Sequence, residues 1–537
     1  EVVAGAMRVL SAEFILGRKI SEAITRGKSM LNRGYTYSFD MLGEAARTEA
    51  DAKRYFEAYL EAITEIRKNT IKADIHTNAG ISVKLSALHP RYERSQRDSM
   101  LPTMVERALS LARGAASAGI GLNIDAEESE RLDLSLDIIE NVLSDASLSG
   151  WEGFGVVVQA YDKRAPSLLD WLYTLAASLN RKIMVRLVKG AYWDKEIRHA
   201  QILGLGSYPV FSRKIHTDLS YLACTRKLFG MTSHIYPQFA THNAHTVAAV
   251  LHMAGDCRQF EFQRLHGMGE ALYEQVKVDS EVLCRIYAPI GEHRDLLAYL
   301  VRRLLENGSS NSFVHQILDE SVASEDITRD PIKVAKENSF SVNPAIPMPA
   351  HIFTDRRNSK GWNLNDPIDL LTVKNAREGF AYPHKWLATS ITSVGSSGVR
   401  RKAINPAVTT DAIGYIYESN EVDSKSFVDV AVLAQPSWVS RTVVERAALL
   451  KRGAELFEKN TGEFLAILSR EAGKNLTDGV SEIREAIDFL RYYAKCAERS
   501  CIDGRARGLI VSISPWNFPL AIFTGQLAAA LVTGNTV

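Results

Sequence analysis

Eight short β-rich runs lie between residues 34 and 320, each followed by a helical stretch, and this alternation restricts the fold more than any other feature of the chain. Strands that alternate with helices pair in parallel, because each connection must cross back over the sheet. Eight units fit a closed (β/α)₈ barrel, whereas an open doubly wound sheet usually has fewer strands. We therefore predict an α/β fold built on a (β/α)₈ barrel. The runs are residues 35–41, 81–88, 121–127, 155–161, 183–190, 236–243, 260–267 and 284–291.

The remaining sequence divides into an arm, a linker and a second domain. A chain of 537 residues exceeds what one ordinary core accommodates. We predict an N-terminal helical arm over 1–33, the barrel over 34–320, and a linker over 321–400, where Pro, Asn and Gly occur without periodicity. Residues 401–537 combine long helices with a strand, turn and helix over 508–531, which predicts a second, incomplete α/β domain. Both termini fall within regular-looking segments, so we expect the natural protein to be longer.

Composition and missing motifs exclude several classes of protein. The formal net charge of +1 provides no basic footprint for nucleic acid. The five cysteines form no C-x-x-C pair, and we find neither a signal peptide nor an apolar run of membrane-spanning length, so we predict a cytoplasmic protein. No G-x-G-x-x-G, Walker A, H-E-x-x-H or G-x-S-x-G motif occurs. His242 and His245 form an H-x-x-H without a third ligand, and we predict no metal site.

Polar side chains occur late in most of the eight runs. Working residues of a (β/α)₈ barrel project from the carboxyl ends of its strands. A charge inside an apolar strand is costly unless it is paired, so Lys84 and Arg186 need partners. Structural ion pairs explain any single residue equally well, but a whole set at one end favours a site. The set is Asp40, Glu44, Lys84, Asp125, Gln159, Arg186, Lys189, Thr241, His242, Arg264, His266 and Tyr287.

The segment AYLVRRLLENG, residues 298–308, follows the last run and has helical periodicity. Its leucines and Val301 would face a core, and Tyr299, Arg302, Arg303 and Glu306 would share the opposite stripe. A solvated face is the commoner interpretation of such a stripe. Beside the barrel mouth it would instead form a cationic pocket that clamps a small carboxylate. The residues alone thus indicate an anion-binding barrel enzyme without identifying its reaction.

Several motifs resemble a known family. GYTYSFDMLGEAA, SVKLSALHPRY, DAEE, QAYDKRA, RLVKGAYWD, FATHNAHT, FQRLHGMGE, RIYAPIGEH and YLVRRLLENGSSNSFV closely resemble the proline dehydrogenase domain of the bacterial proline utilization A (PutA) family. INPAVTTDAIG, REAGKNL and SPWNFPLAIFTGQLAAAL resemble the first part of an aldehyde dehydrogenase, the second half of the same bifunctional family. The resemblance implies a distorted (β/α)₈ barrel that oxidises L-proline to Δ1-pyrroline-5-carboxylate with FAD. A second site would oxidise glutamate semialdehyde to glutamate with NAD.

The resemblance also implies roles for individual residues. The proline carboxylate would be held by Lys84, Arg302 and Arg303. The proline ring would be enclosed by Tyr192, Leu265, Tyr287 and Tyr299, with Asp125 in support and Glu44 pairing with Arg302 as a gate. The flavin would meet Gln159, Arg186 (near N5), Val188, Gly190, Ala191, Trp193, Lys214, Thr241, His242, Asn243, Glu306 and Phe313.

In the second domain the resemblance places Asn517 as the donor to the oxyanion. It assigns no nucleophilic role to Cys496 or Cys501, so we expect this chain to perform only the first reaction. Implied partners are a quinone at the membrane surface and further copies of the chain. Implied localisation is cytoplasmic with peripheral attachment to the inner membrane.

Two functions from other classes stay open. A DNA-binding regulator is one, because some family members carry an N-terminal DNA-binding module. Residues 1–33 do not resemble such a module, and the neutral charge argues against it. A membrane-docked scaffold is the other, although no strongly basic amphipathic helix occurs.

Overall fold

A computed structural model describes residues 14–70, 74–291, 299–302, 321, 323, 329–388, 398–500 and 504–537. These residues form two compact units. The first comprises Glu1–Ile197 and Pro209–Pro344, and the second comprises Arg198–Tyr208 and Ala345–Val537. The predicted domain boundaries at residues 33, 320 and 400 stay predictions. No helix in these described ranges combines the length and apolar character that a membrane crossing needs.

The first unit contains a closed barrel of eight parallel strands in sequential order, β1 to β8. The predicted (β/α)₈ barrel is thus confirmed. β1 closes the ring on β8, with Tyr37 opposite Ile286 in the register of the two strands. The strands are β1 Thr36–Met41, β2 Gly80–Val83, β3 Gly121–Ile124, β4 Phe154–Gln159, β5 Ile183–Val188, β6 Ile235–Ala240, β7 Glu261–Leu265 and β8 Leu283–Ile290.

Helices surround this barrel, and two of them separate β5 from β6. The helices are α1 Ile20–Asn32, α2 Glu49–Arg67, α3 Arg97–Ala118, α4 Leu132–Leu143, α5 Ala165–Ser178, α6 Trp193–Leu203, α7 Lys214–Phe229, α8 Ala244–Ala254, α9 Glu270–Ser280 and α10 Pro331–Glu337. Of the predicted helix at 298–308 the structure describes residues 299–302, which are helical. Arg303, Glu306 and Phe313 lie outside the described residues.

Alternation along the strands separates a hydrophobic outer layer from a polar interior. The side chains that face the helices are aliphatic or aromatic, such as Ile81, Val185 and Phe262, all fully buried. Barrels of this class usually fill their interior with branched aliphatic layers. Here buried polar groups occupy much of it and pair with one another, as Arg285 does with Glu261 at 2.7 Å. The buried polar strand residues include Ser38, Asp40, Ser82, Asn123, Arg186, Gln238, Glu261, Gln263 and Arg285.

Several strands end earlier than the sequence predicts. The run 81–88 forms a strand to Val83, after which Leu85–Ala87 form a 3₁₀ turn. The run 121–127 likewise ends at Ile124. Hydrophobic periodicity does not show where these strands end, because apolar residues continue from the strand into the turn. Lys84 and Asp125 consequently stand just beyond the strands, at the rim of the barrel.

The second unit has a three-stranded sheet in the order β10–β11–β9. Its strands are β9 Trp386–Ala388, β10 Arg400–Ile404 and β11 Ala412–Tyr417. Its helices are α11 Pro367–Glu378, α12 Glu421–Val439, α13 Val443–Lys459, α14 Thr461–Ala472, α15 Leu476–Ser500 and α16 Ala521–Val532. A core of residues such as Ala447, Leu450, Ile487 and Leu490 joins α13 to α15.

Two predictions outside the barrel differ from the structure. The segment 321–400, predicted as linker, holds α10, α11 and β9. Asp330 and Asp366 cap the two helices, each of which begins with a proline, and such start signals carry no periodicity. The strand predicted at the start of 508–531 is wrong for the described residues. Near the start of this segment there is a single β-bridge, between Leu509 and Thr536, and one bridge is too little pairing to make a strand.

Candidate active site

Four side chains from different strands meet where the strands end. Lys84 follows β2, and its Nζ lies 2.7 Å from Asp40 Oδ1 of β1 and 3.1 Å from Asp125 Oδ2 beyond β3. The hydroxyl of Tyr287, from β8, lies 3.3 Å from the same Nζ. All three protons of the ammonium are thus directed to protein oxygens. The longest of these contacts is the weakest, and a ligand carboxylate can replace it most easily.

Asp125 joins this cluster to Arg186 of β5. Its Oδ2 accepts the hydroxyl proton of Tyr287 at 2.7 Å, and its Oδ1 accepts from Arg186 at 3.0 Å. Arg186 also donates to the hydroxyls of Ser38 and Ser82, each at 3.1 Å. Its buried Nε has no hydrogen-bond partner within the described part of the chain.

The two carboxylates of the cluster have opposite pKa shifts. Burial raises the pKa of Asp40, and the attraction of Lys84 does not fully offset it. Burial also acts to raise the pKa of Asp125, but Lys84 and Arg186 together outweigh it and hold that pKa below its usual value. Burial acts to lower the pKa of Lys84, yet Asp40, Tyr287 and Asp125 raise it well above its ordinary range. At neutral pH the cluster therefore holds a fixed ammonium beside an ionised Asp125.

Arg302 forms a two-point ion pair with Glu44. The nitrogen–oxygen distances are 2.8 and 3.0 Å, and the guanidinium carbon lies 5.3 Å from the ring centroid of Tyr192. Although burial opposes ionisation of both groups, this pair lowers the pKa of Glu44 and raises that of Arg302. The predicted partner of Arg302 is thus in contact with it. Its action as a gate stays a prediction.

Along the described residues 299–302, Leu300 is buried as the sequence predicts, whereas Val301 is not. Tyr299 is buried, and it packs in a cluster with Leu300 and Met268. Val301, predicted to face the core, is 44% exposed. Periodicity assigned the aromatic residue to the polar stripe, but a tyrosine ring buries as readily as valine when a wall of apolar side chains receives it.

One cavity of about 1090 Å³ connects nearly all the described site residues. Glu44 does not line it directly and reaches it through Arg302. The cavity is open to ligands of more than ordinary size, since typical small-molecule pockets have roughly 300–1,000 Å³. The predicted residues that line it are Lys84, Asp125, Gln159, Arg186, Val188, Gly190, Ala191, Tyr192, Trp193, Lys214, Thr241, His242, Asn243, Leu265, Tyr287, Tyr299 and Arg302.

Backbone contacts fix several of these side chains. His242 Nε2 accepts a hydrogen bond from the backbone N–H of Leu265 at 3.0 Å. Nε2 therefore has no proton, and the proton of the neutral ring resides on Nδ1. Trp193 Nε1 donates to the carbonyl of Phe211 at 2.8 Å. Asn243 caps α8 by accepting from the backbone of Thr246 at 2.9 Å. In the described ranges no three His, Cys, Asp or Glu side chains are arranged to hold a metal ion.

Gly190 shows why the loop after β5 needs glycine. Its φ is +129°, a conformation that other residues rarely adopt. A Cβ at this position would lie 2.5 Å from the ring of Tyr161, too close for two carbon atoms. The glycine therefore lets the chain pass over a buried tyrosine as it enters the cavity wall.

Sequence reasoning gave no role to several residues of the cavity. For Asp40 the sequence predicts a position at the end of its strand but no role, although alternation with Ser38 places it inward. Asn338 and Asn343 belong to the segment predicted as linker, and Asn343 N–H donates to Ser212 Oγ at 3.2 Å. Arg264, in contrast, points out of the barrel and lies 5.1 Å from the ring of Tyr35. Further lining residues are Ser212, Arg213, Asp218, Gln263 and Arg329.

Asn517, the predicted oxyanion donor, belongs to the second unit. It lies exposed in the turn that precedes α16. The start of α16 is fixed by buried Glu482, which accepts from the backbone of Leu520 at 2.8 Å and pairs with Lys474 at 2.6 Å. A catalytic role for Asn517 stays a prediction.

Comparison with known proteins identifies two families. The proline dehydrogenase family model matches residues 23–316, more than half of the chain, and the aldehyde dehydrogenase family model matches residues 394–537. The bifunctional PutA proteins of Klebsiella aerogenes and Escherichia coli K12 are each 46% identical to the chain over 99% of its length. The chain covers 42% of each of these relatives. A crystal structure of a variant of Bradyrhizobium japonicum proline utilization A is 44% identical, with a TM-score of 0.87, and covers 99% of this chain and 53% of that one.

Proposed function

The chain belongs to the proline dehydrogenase family and has the domain order of the bifunctional PutA proteins, and from this membership we propose that its barrel oxidises L-proline to Δ1-pyrroline-5-carboxylate with FAD. The observation that carries the proposal is the cluster of Lys84, Asp125, Arg186 and Tyr287 in one large cavity. Such a cluster supplies both a carboxylate-binding cation and a second cation on the opposite side of Asp125.

Lys84 and Arg302 bind the carboxylate of proline. Both are cations at any physiological pH, and both line the cavity. Charge-assisted hydrogen bonds of this kind are about twice as strong as neutral ones and orient the ligand. Arg303 joins them in the proposal on sequence grounds alone. Arg302 is bound to Glu44 through two hydrogen bonds, and in the proposal this pair acts as a gate.

Tyr192, Leu265, Tyr287 and Tyr299 enclose the proline ring and exclude water. The hydroxyl of Tyr287 is committed to Asp125, which leaves its ring as the surface for an apolar contact. Exclusion of water strengthens the charge contacts at the other end of the substrate. Asp125 supports this arrangement, because it fixes Tyr287, Lys84 and Arg186 relative to one another.

The residues of the cavity fit FAD. The open Nε of buried Arg186 offers a donor, and α7 and α8 both begin at the cavity wall, where helix N-termini favour phosphate. Gln159, Arg186, Val188, Gly190, Ala191, Trp193, Lys214, Thr241, His242 and Asn243 would hold the group, with Glu306 and Phe313 assigned from the sequence alone. When bound, FAD supplies the acceptor for the hydride that leaves proline. Arg186, which lines the cavity, would hold its positive charge at that site.

Further parts of the proposal rest on the similarity to longer relatives. For a protein of their full length we propose NAD-dependent oxidation of glutamate semialdehyde, with Asn517 at the oxyanion. We propose that this chain performs the first reaction alone, since Cys496 and Cys501 do not match the nucleophile of that family. A quinone acceptor, cytoplasmic localisation with peripheral membrane attachment, and homo-oligomerisation have the same support.

Anaerobic flavin reduction tests the proposal. The chain, purified with FAD, should lose flavin absorbance when L-proline is added and keep it with D-proline. Lys84→Met should bind FAD but need far more proline, whereas Lys53→Met should behave as wild type because Lys53 is exposed on α2. A chain that binds no flavin, or whose flavin L-proline never reduces, would contradict the proposal.

A further inference from the structure

Glu196 is a buried carboxylate in the first turns of α6, outside the cavity. It is 4% exposed. Its Oε1 accepts the backbone N–H of Ser129 at 2.8 Å. Ser129 is itself buried and begins the short turn Ser129–Arg131, which directly follows the loop at residues 125–128. One side chain of α6 is thus bound to the backbone of a segment more than 60 residues away.

Ser129 is held firmly enough to serve as an anchor. Its hydroxyl donates to Asp162 Oδ2 at 2.7 Å, and its carbonyl accepts from Arg164 at 2.7 Å. The loop before it carries Asp125 of the charge cluster, and the carbonyl of Glu127 there accepts from Gln159 at 2.9 Å. The segment that Glu196 grips is therefore part of the cavity's own framework.

The start of α6, with Tyr192 directly before it, forms part of the cavity wall. Tyr192, Trp193 and Asp194 all line the cavity. The backbone N–H of Glu196 donates to the carbonyl of Tyr192 at 2.9 Å, so the two residues move together. Two further side chains tie this turn to its surroundings: the indole of Trp193 donates to Phe211, and Lys195, 60% exposed, pairs with Glu128 at 2.5 Å. The Glu196–Ser129 contact differs from the Lys195–Glu128 pair because Glu196 is buried.

We propose that Glu196 is a positioning residue: its carboxylate fixes the first turn of α6, and through it Tyr192 and Trp193, against the loop after β3. The inference deepens the proposed function and depends on it only for the identity of the ligand. Substrate enclosure by Tyr192 then depends on a group that touches neither substrate nor cofactor. Loss of the tie should raise KM for proline more than it lowers kcat.

The charge of Glu196 varies in the neutral range. Burial, and the nearby carboxylates of Glu128, Glu130 and Asp162, raise the pKa of Glu196 to about 7. Arg131 and Lys195 pair with Glu128, and Arg164 pairs with Asp162. The hydroxyl of Tyr161 is also near enough to Glu196 for the charge of Glu196 to raise the pKa of Tyr161. The ionised carboxylate accepts the stronger hydrogen bond from Ser129. The tie is therefore tightest above pH 7 and loosens as the pH falls.

Two variants and one control test the proposal. Glu196→Ala removes the acceptor, and KM for proline should rise about tenfold with kcat within about twofold of wild type. Glu196→Gln keeps a carbonyl acceptor but cannot ionise. Its KM at pH 8 should stay within about fivefold of wild type, and the step in KM near pH 7 should disappear. Glu57→Gln, on the exposed face of α2, should leave both KM and its pH profile unchanged.

Hydrogen–deuterium exchange provides a readout that needs no catalysis. In Glu196→Ala, exchange should accelerate in peptides that cover residues 125–131 and 190–197, and not in α2. Unchanged exchange there, or a pH profile of KM that Glu196→Gln shares with wild type, would overturn the proposal. If wild type fails to oxidise proline while the exchange result holds, the proposed function fails and the positioning role stands. Glu196→Gln keeps the test available if Glu196→Ala does not fold.

Discussion

Arg302 and Glu44 form a bidentate ion pair although 258 positions separate them in the sequence. The pair holds the guanidinium at the cavity, over the ring of Tyr192. It is partly exposed, with 16% of the Arg302 side chain and 28% of that of Glu44 open to solvent. Water therefore reaches both charges, so separating them would leave neither group in a fully desolvated site.

Arg302→Met should raise KM for proline about 100-fold while FAD stays bound. A lost charge-assisted contact to a ligand carboxylate costs about 2–3 kcal/mol, and each 1.4 kcal/mol is a factor of ten. Steady-state kinetics and the flavin-to-protein absorbance ratio measure the two effects. Arg91→Met is the matched control, because Arg91 is exposed and pairs only with Glu93 among the described residues. A normal KM in Arg302→Met would mean that the carboxylate binds elsewhere in the cavity.

Asp125→Asn should destabilise the barrel by about 3–5 kcal/mol, because it leaves buried Lys84 and Arg186 short of a counter-charge. In the folded wild type the pKa of Asp125 lies below its usual value. Its contribution to stability is therefore present above about pH 4 and is lost as the pH falls through the lower, folded pKa. Urea unfolding at pH 4 and pH 2 measures this loss. The variant should lose less stability than wild type over that interval, and equal losses would contradict the assignment.

The residues at the barrel rim show how much of the candidate site the sequence predicts. Lys84, Asp125 and Arg186 were predictable because alternation places them inward and strand ends place them together. Which partners they choose was not predictable, since that depends on distances across the barrel between strands remote in sequence. Val301 was assigned to the wrong face, because periodicity ranks valine above tyrosine as a core residue.

The segment after the barrel shows a different limit. Asn338 and Asn343 line the cavity from a stretch that lacks periodicity. Their position follows from tertiary contacts such as that of Asn343 with Ser212, which no local pattern records. The family resemblance named many of the described cavity residues. It did not reveal Glu196, whose proposed role depends on a contact with a backbone N–H and not on a motif.

Wild type and Glu196→Gln should differ in how stability depends on pH. The folded pKa of Glu196, about 7, lies above the usual value of 4.5. The protonated form is thus favoured on folding, and this contribution is full below about pH 4.5 and is lost as the pH rises through 7. The difference between these two pKa values corresponds to roughly 3 kcal/mol in the free energy of unfolding. Urea unfolding at pH 5 and pH 8 should show that wild type loses stability relative to Glu196→Gln. If the difference in stability between the two proteins were the same at pH 5 and pH 8, Glu196 would not be the group that titrates.

Gly190→Ala should destabilise the chain and reduce its flavin content together. The added Cβ meets the ring of Tyr161 at 2.5 Å in a backbone conformation that alanine resists, so a cost of about 2–4 kcal/mol is expected. Gly379→Ala is the control, because its φ is −62° and no atom lies within 4 Å of the added Cβ. The midpoint temperature of thermal unfolding and the flavin-to-protein ratio should both fall in Gly190→Ala and not in Gly379→Ala. If Gly190→Ala kept full flavin content despite lower stability, the loop after β5 would be a structural turn and not part of the cofactor wall.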